Sequence, residues 1–585
     1  MSVGGLVSWH SRSNASPAGQ GDRSWIAPSF RGAGGEPGIQ SRRRCKALRN
    51  LCFWIPGSAV RPRDDGAAGD VRSLETSNAI ASPAGGGGKG ASRLAALVAI
   101  AASVSGCMVG PDYSRPSVET PLAFKEGGAR EDSAAYVASR KGWRPAAPND
   151  GAERGDWWRV FKDPALDRLI RLVDVDNQSL RAQVAAYEQA RGFVAQARAA
   201  LFPTVIGAPN GTRSRVGGSE RTTVSLQGQA SWELDLFGRI RRTIQSEVAT
   251  AQASAADLAL VRLTIQSEVA TNYLSLRYQD SLQRVFDENI AGFKKSLAIT
   301  ENQYAAGVAA RSDVITAQTL LQTTQAQAIA IGLQRAIFEH AIATLTGRPP
   351  SELSLPVAPL AVRPPAVPVG IPSALLERRP DIAQAERAVQ AQSELIGAAV
   401  AAFYPTLTLS ASGGVSGLAS NGIFSAANQV WSVAAAGTEV FYDGGARAAA
   451  LRIARAAYDA AVANYRQTVL TAFGEVENGL AGVRILAQQQ AKQDEAVASA
   501  RRAVEITLNE YRAGTQNFTT VVTAQALQIN NEITALQIRL NRFITAVSLI
   551  RALGGGWDAR SLPTGEELKG PRLPIDRGQA VRTEE

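Results

Sequence analysis

The sequence predicts a mixed fold in which a membrane β-barrel is joined to a long α-helical barrel, with two tandem repeats in one chain. Three observations predict it. The chain has 27 prolines, yet none lies between Asn210 and Arg348 or between Pro405 and Pro563. Helix interiors exclude proline because it removes a donor and clashes with the preceding turn, so the two gaps mark two long helical regions. One pattern also recurs at an offset of 202 to 207 residues, the mark of an internal repeat. Finally, short segments ahead of each long helix alternate apolar and polar residues with period two.

Taken in order, the chain begins with a basic front end. Residues 1 to 106 carry 13 Lys and Arg against 6 Asp and Glu, and the remainder carries 49 against 46. The net charge of +10 therefore belongs mostly to the front, and a nucleic-acid partner for the body loses its support. Residues 1–88 are rich in Gly, Pro, Ser and Arg without apolar periodicity. Such a segment cannot bury enough surface to offset its chain entropy, and it reads as a non-native or disordered extension ahead of a true start near Lys89. Residues 89–106 read as a lipoprotein signal peptide: basic Lys89 to Arg93, apolar Leu94 to Val104, then Ser105 and Gly106. That apolar run is too short to span a bilayer. Cys107 is the expected lipid attachment site, since V-S-G-C resembles a bacterial lipobox and each buried methylene of an acyl chain contributes ~0.8 kcal/mol. The plain alternative is a buried cysteine beside an apolar segment. Beyond position 106 the chain has one cysteine, Cys107, and one histidine, His340. That excludes a disulfide within the body and leaves no metal or other cofactor expected.

The body divides into a first repeat at 107–347, a Pro-rich linker at 348–372, a second repeat at 373–556 and a tail at 557–585. ARAALFPTV from Ala197 parallels AAVAAFYPTL from Ala398, and NQYAAGVAARSDV from Asn302 parallels NEYRAGTQNFTTV from Asn509. Each copy reads as helix, strand hairpin, long helix, glycine turn and helix. Strands are expected at about 203–237 and 405–442, and the long helices at about 238–306 and 445–513, each ~100 Å at ~1.5 Å per residue. From Val224 to Leu236 the even positions are Val, Leu, Gly, Ala, Trp, Leu and Leu, and the odd positions are Ser, Gln, Gln, Ser, Glu and Asp. The strand near Val205 alternates less cleanly and is expected to be interrupted by Pro209. A soluble sandwich with one wet face shares this alternation. Four strands cannot close on themselves, however, and an open edge cannot exist in lipid, so strands in a membrane require several chains to share one barrel. The helices carry a thin seam: Leu451, Ala454, Tyr458, Ala461 and Tyr465 in one, Ile244, Val248, Ala251, Ala255 and Leu258 in the other. Alanine in place of leucine suits a wall of helices around a wet lumen better than a dry bundle.

Four stretches carry a resemblance: WWRVFKDPALDRLI (Trp157 to Ile170), LLERRPDIAQAERAV (Leu375 to Val389), IGAAVAAFYPTLTLSASGG (Ile396 to Gly414) and FYDGGAR (Phe441 to Arg447). They resemble the TolC-like outer-membrane factors, and CMVGPDY from Cys107 is similar to the mature start of their NodT-type lipoprotein branch. The resemblance covers about Cys107 to Trp557. It implies a homotrimer in which each chain gives four strands to one twelve-stranded barrel in the outer membrane. It further implies a helical tunnel extending into the periplasm, docked on a periplasmic adaptor and an inner-membrane transporter, as the exit channel of a tripartite small-molecule efflux system. Gly307 and Gly514, expected in left-handed conformation, would mark the helix turns that meet the adaptor. Thr520, Thr523 and Gln516 would occupy the periplasmic pore constriction. All three are neutral where the family's namesake has two acids and a base, so an acidic ring is not expected. Asp313 keeps a carboxylate, and Arg311 two residues before it could pair with it as a weak latch. His340, on an apolar helix, is expected to be packed and structural. No nucleophile with its base, phosphate-cradling loop or catalytic carboxylate pair is found, and no enzyme is read here. Two other functions stay open: a type I protein secretion duct, and a non-conducting periplasm-spanning coiled-coil lipoprotein. The polar face of the Val224 to Leu236 strand separates ducts from the last of these, because a duct must line water with it.

Overall fold

The structure is a computed structural model, and it describes residues 108–121, 123–126, 156–361, 363–365, 367, 375–418 and 422–569. The extension at 1–88, the signal peptide at 89–106, Cys107, part of the linker and the end of the tail lie outside the described residues. Each half of the chain runs through the same succession of elements. The first half has α1 (Pro164–Asp176), α2 (Gln178–Ala199), β1 (Thr204–Val216), β2 (Ser219–Leu234), α3 (Arg239–Ala305) and α4 (Arg311–Leu345). The second has a helical turn at Leu375–Arg378, α5 (Pro380–Ala401), β3 (Thr406–Leu418), β4 (Gln429–Thr438), α6 (Ala446–Arg512) and α7 (Phe518–Ala552). Helices α3 and α6 have 67 residues each, hence ~100 Å of unbroken helix.

Both long helices are started by an aspartate left at the end of a hairpin. Asp235 accepts from the backbone N–H groups of Ile240 and Arg241, and Asp443 from those of Gly445 and Arg447. A carboxylate there satisfies donors that have no partner in the helix and meets the positive end of its dipole. Hydrogen bonding to the Arg447 side chain first, then to these N–H groups, holds the Asp443 carboxyl down at about 2.

The four strands form one antiparallel sheet in the order β1-β2-β3-β4. Its register matches like with like. Val205, Ala230, Ala411 and Val433 stand in one row across all four strands, and Gln229, Ser412 and Ser432 share another with Ile206 of β1. From β2 to β4 the apolar face of each strand therefore continues that of its neighbour, and so does the polar face, while β1 alternates less cleanly, with Ile206 on the polar side. Pro209 does not interrupt β1 as its position had suggested. It sits within the strand opposite Leu226, and the register with β2 runs unbroken through it. Both edges, β1 and β4, are unpaired within the chain.

The helices repeat this open order. In the half nearer the sheet α3 lies between α2 and α5, and in the far half between α4 and α7, while α6 packs on α5 and α7. One side of the layer thus ends in α2 and α4 and the other in α6. The largest buried cluster gathers where α1 and the Trp157–Phe161 turn cover α3 and α7, around Trp158, Ile170, Val269, Leu276 and Phe543. Burying each such side chain contributes ~1.5–3 kcal/mol. His340 is exposed in the chain rather than packed, because α4 is an edge helix with no neighbour on its outer side.

Two sets of buried charges bind the long connections to this layer. Asp280 on α3 accepts from Arg277, Arg335 and the Ala358 N–H, and the two arginines donate onward to the Pro356 and Leu355 carbonyls. The Pro-rich linker is thereby pinned to α3 and α4. It is not extended throughout, since Pro350–Glu352 form a 3-10 turn. In the second set, Arg379 ahead of α5 donates to Asp381, Glu475 and the Ala552 carbonyl at the end of α7, with Pro380 in the first helical position. Asn177 does the same for α4, donating to the Leu345 carbonyl.

Candidate gate and conduit

The far ends of the two helical hairpins are built alike and packed differently. Gly307 and Gly514 close the turns with φ of +74° and +76°, a conformation in which glycine escapes the penalty other residues meet. An added Cβ at either would meet nothing, so both turns are free surfaces of the chain. Behind Gly514, Tyr511 stacks obliquely on Phe518 at 5.2 Å. These two with Ala317 and Val521 form a buried cluster joining α4 to the α6–α7 hairpin. Gln303 of α3 adds a hydrogen bond to the Tyr511 carbonyl at 3.2 Å. The two hairpins are thus fastened just above their tips.

Of the residues that the resemblance assigns to a constriction, the structure brings Thr520 and Gln516 together. Asn517 caps α7 by accepting from the Thr520 N–H, and the Thr520 hydroxyl lies within hydrogen-bond distance of Asn517 and Gln516. Thr523 donates to the Thr519 carbonyl one turn below. Thr520 is half-buried, and Gln516 and Thr523 are exposed. Asp313 sits in the first turn of α4, where the helix dipole favours its charge. No ion pair joins it to Arg311 within the chain. Sequence reasoning missed a neighbouring residue, Tyr511. Burial pushes the Tyr511 phenol up, against an opposing effect of the nearby Thr300 hydroxyl and with a small addition from the charge of Asp313. The Tyr511 hydroxyl is enclosed and makes no hydrogen bond of normal geometry among the described residues. The repeat could have flagged this residue, since Tyr304 and Tyr511 occupy matching places, yet Tyr304 is 47% exposed and Tyr511 only 5%.

This asymmetry gives an expected outcome. Tyr511→Ala empties the cluster that fastens the tips and is expected to cost about 3–5 kcal/mol in denaturant unfolding. Tyr511→Phe removes only an unpaired hydroxyl and is expected to be neutral or stabilising. Equal losses in both variants would show that the hydroxyl, not the packing, carries the contact.

At the opposite end the helices meet the sheet. Phe237 and Tyr404 stack at 4.7 Å, and Trp232 donates to the Leu201 carbonyl, so aromatic side chains gather where strands become helices. Above them the polar face of the sheet presents Ser225, Gln227, Gln229, Ser231, Ser410 and Ser412. The hydroxyls of Ser412 and Ser432 are 2.8 Å apart. This face can hydrate a passing solute but holds no nucleophile beside a base. Among the described residues no group of three or more His, Cys, Asp and Glu could hold a metal ion.

Comparison with known proteins decides the family. The profile described as "Outer membrane efflux protein" matches residues 169–348 and 371–555, one block in each half. The chain belongs to the outer membrane efflux protein family. Among similar members, outer membrane protein OprJ of Pseudomonas aeruginosa is 32% identical over 485 residues, covering 79% of this chain and 96% of that protein. The probable efflux pump outer membrane protein TtgC of Pseudomonas putida is 29% identical over 476 residues, covering 79% and 96%. Of solved structures, the outer-membrane channel OprN superposes with a TM-score of 0.69 at 30% identity, covering 77% of this chain and all of that one. This efflux protein is accordingly an outer-membrane efflux channel that extends into the periplasm, of a family that transports rather than catalyses.

Proposed function

We propose that three copies of the chain close one twelve-stranded barrel and one helical tunnel, a passive exit duct for small molecules. The duct docks at Gly307 and Gly514 on a periplasmic adaptor coupled to an inner-membrane transporter, with Thr520, Thr523, Gln516 and Asp313 around its constriction. Acylated Cys107 serves as a tether. The observation that carries this reading is the sheet with two open edges. A strand edge cannot face lipid, where each unpaired backbone group costs several kcal/mol, so β4 of one copy must meet β1 of the next. The helices support the same closure. Apolar side chains on α4, such as Ile315, Ile329 and Leu333, and on α6, such as Val483, Ile485 and Ile506, are exposed in one chain. They stand on the two sides that a ring would bring together. By length and composition α4 and α7 could cross a membrane, but a neighbouring copy accounts for the apolar outer face of α4 without lipid. Relatives named for antibiotic and toluene efflux support small molecules as the substrate class.

In mild detergent the purified protein is expected to weigh three chains by light scattering, and in planar bilayers to give discrete conductance steps. A folded, heat-resistant single protomer would defeat the shared barrel. Three chains without conductance would instead favour a non-conducting periplasmic rod.

A further inference from the structure

We infer that the outer end of the β1–β2 hairpin binds the phosphate of an outer-leaflet glycolipid between Arg213 and Arg215. This rests on the barrel reading above, with the apolar face of the sheet toward lipid. On β2 that face runs without a charge through Leu234, Trp232, Ala230, Gly228, Leu226 and Val224. Ten residues at ~3.4 Å, tilted by ~40°, rise ~26 Å, which matches the ~25 Å apolar band of a membrane barrel. The next positions of the same parity are Thr222 and Glu220, and opposite them on β1 stand Arg213 and Arg215. The pairing continues unbroken to Val216 and Ser219 across Gly217 and Gly218, whose positive φ values suit a two-residue hairpin turn. The alternation that places Val205 and Leu226 on the lipid side therefore extends to the two arginines. They are the first charges above the band on β1.

The side chains confirm the shared face. Glu220 lies 2.6 Å from Arg213 and 3.9 Å from Arg215. Glu220 therefore bonds Arg213 alone and holds it beside Arg215, which makes no hydrogen bond among the described residues. Both arginines remain mostly exposed, at 74% and 70% of their side chains. Arg221 pairs with Ser214 and falls on the opposite, polar face. The lipid side thus offers two guanidinium forks, about 7 Å apart along the strand, with one carboxylate to share. A phosphate accepts bidentate hydrogen bonds from such forks, and these are stronger than neutral ones. Headgroups at this height in the outer leaflet of an outer membrane are phosphorylated sugars, so the charges are complementary.

The test uses the full-length protein in detergent, with native mass spectrometry counting a bisphosphorylated lipid A-type glycolipid retained per chain. The Arg213→Gln/Arg215→Gln variant is expected to retain it at least tenfold less, and Glu220→Gln to retain it more tightly. Equal retention by wild type and the double variant overturns the site, leaving a solvated surface pair. Equal preference for phosphatidylglycerol overturns the choice of glycolipid and assigns the phosphate to a phospholipid. Bilayer conductance is recorded in parallel. Its loss in wild type indicts the barrel reading, whereas normal conductance with unchanged lipid retention indicts the lipid site alone.

Discussion

Replacing Arg242 by Met is expected to destabilise the chain by about 3–5 kcal/mol and to release its N-terminal strap. Arg242, in the first turn of α3, is 1% exposed. It donates to Glu394 on α5 at 2.8 Å, to Asp112 at 3.0 Å, and to the carbonyls of Val109 and Gly110. Room for the guanidinium exists because residue 397 has no side chain: a Cβ on Gly397 would stand 2.7 Å from Arg242 Nε, and one on Gly110 would stand 2.6 Å from Gly397 Cα. Without Arg242, Glu394 is left buried and unpaired, the costly case for a buried ion pair. The strap beyond this hub is held by Tyr113 donating to Glu386, by Phe124 in a buried cluster with Ile382 and Val469, and by the N–H groups of Lys125 and Glu126 on Glu477. It starts beside the foot of the sheet, where the Val109 N–H donates to the Phe237 carbonyl. The double variant Arg242→Met/Glu394→Met separates the two effects. It is expected to regain most of the stability, since apolar replacement of a buried pair is often neutral or better, yet to leave the strap open to chymotrypsin at Tyr113. Protection of Tyr113 in Arg242→Met would show that the contacts of Tyr113, Phe124 and Glu477 hold the strap without this hub.

Asp280→Ala is expected to cost a similar ~3–5 kcal/mol, read as a lower midpoint in denaturant. The Asp280 side chain is 1% exposed and that of Arg277 is 4%. The substitution leaves a guanidinium and the Ala358 N–H buried without their acceptor. Arg277 cannot retreat to water, since it lies over the Tyr273 ring at 4.7 Å. Burial and the Asp163 carboxylate push the Tyr273 phenol up to about 12, so it offers Arg277 no negative charge near neutral pH. Asp280→Asn keeps the shape and loses the charge, and should cost less. Faster cleavage by a Glu-specific protease at Glu352, in the freed linker, is expected alongside. A midpoint within error of wild type in Asp280→Ala would mean that the linker is held by its apolar contacts alone.

Period two from Val224 to Leu236 and the two proline-free stretches were enough, without coordinates, to establish strands with opposed faces ahead of very long helices. The reason is local. A pleat puts alternate side chains on opposite faces, and one proline anywhere in α3 or α6 would break the ladder. The repeat likewise located both glycine turns. What lay beyond the sequence is everything made by residues far apart in it. Arg242 and Glu394 are 152 positions apart, and neither neighbourhood hints that a buried pair needs the glycine at 397. Tyr304 and Tyr511 are equal in the repeat, and packing alone buries one of them, because α7 brings Phe518 and Val521 to Tyr511 while the first hairpin is an open edge. His340 is exposed for the same reason. Local pattern specifies which face of an element is apolar, but the partner that covers it is chosen only when the elements assemble.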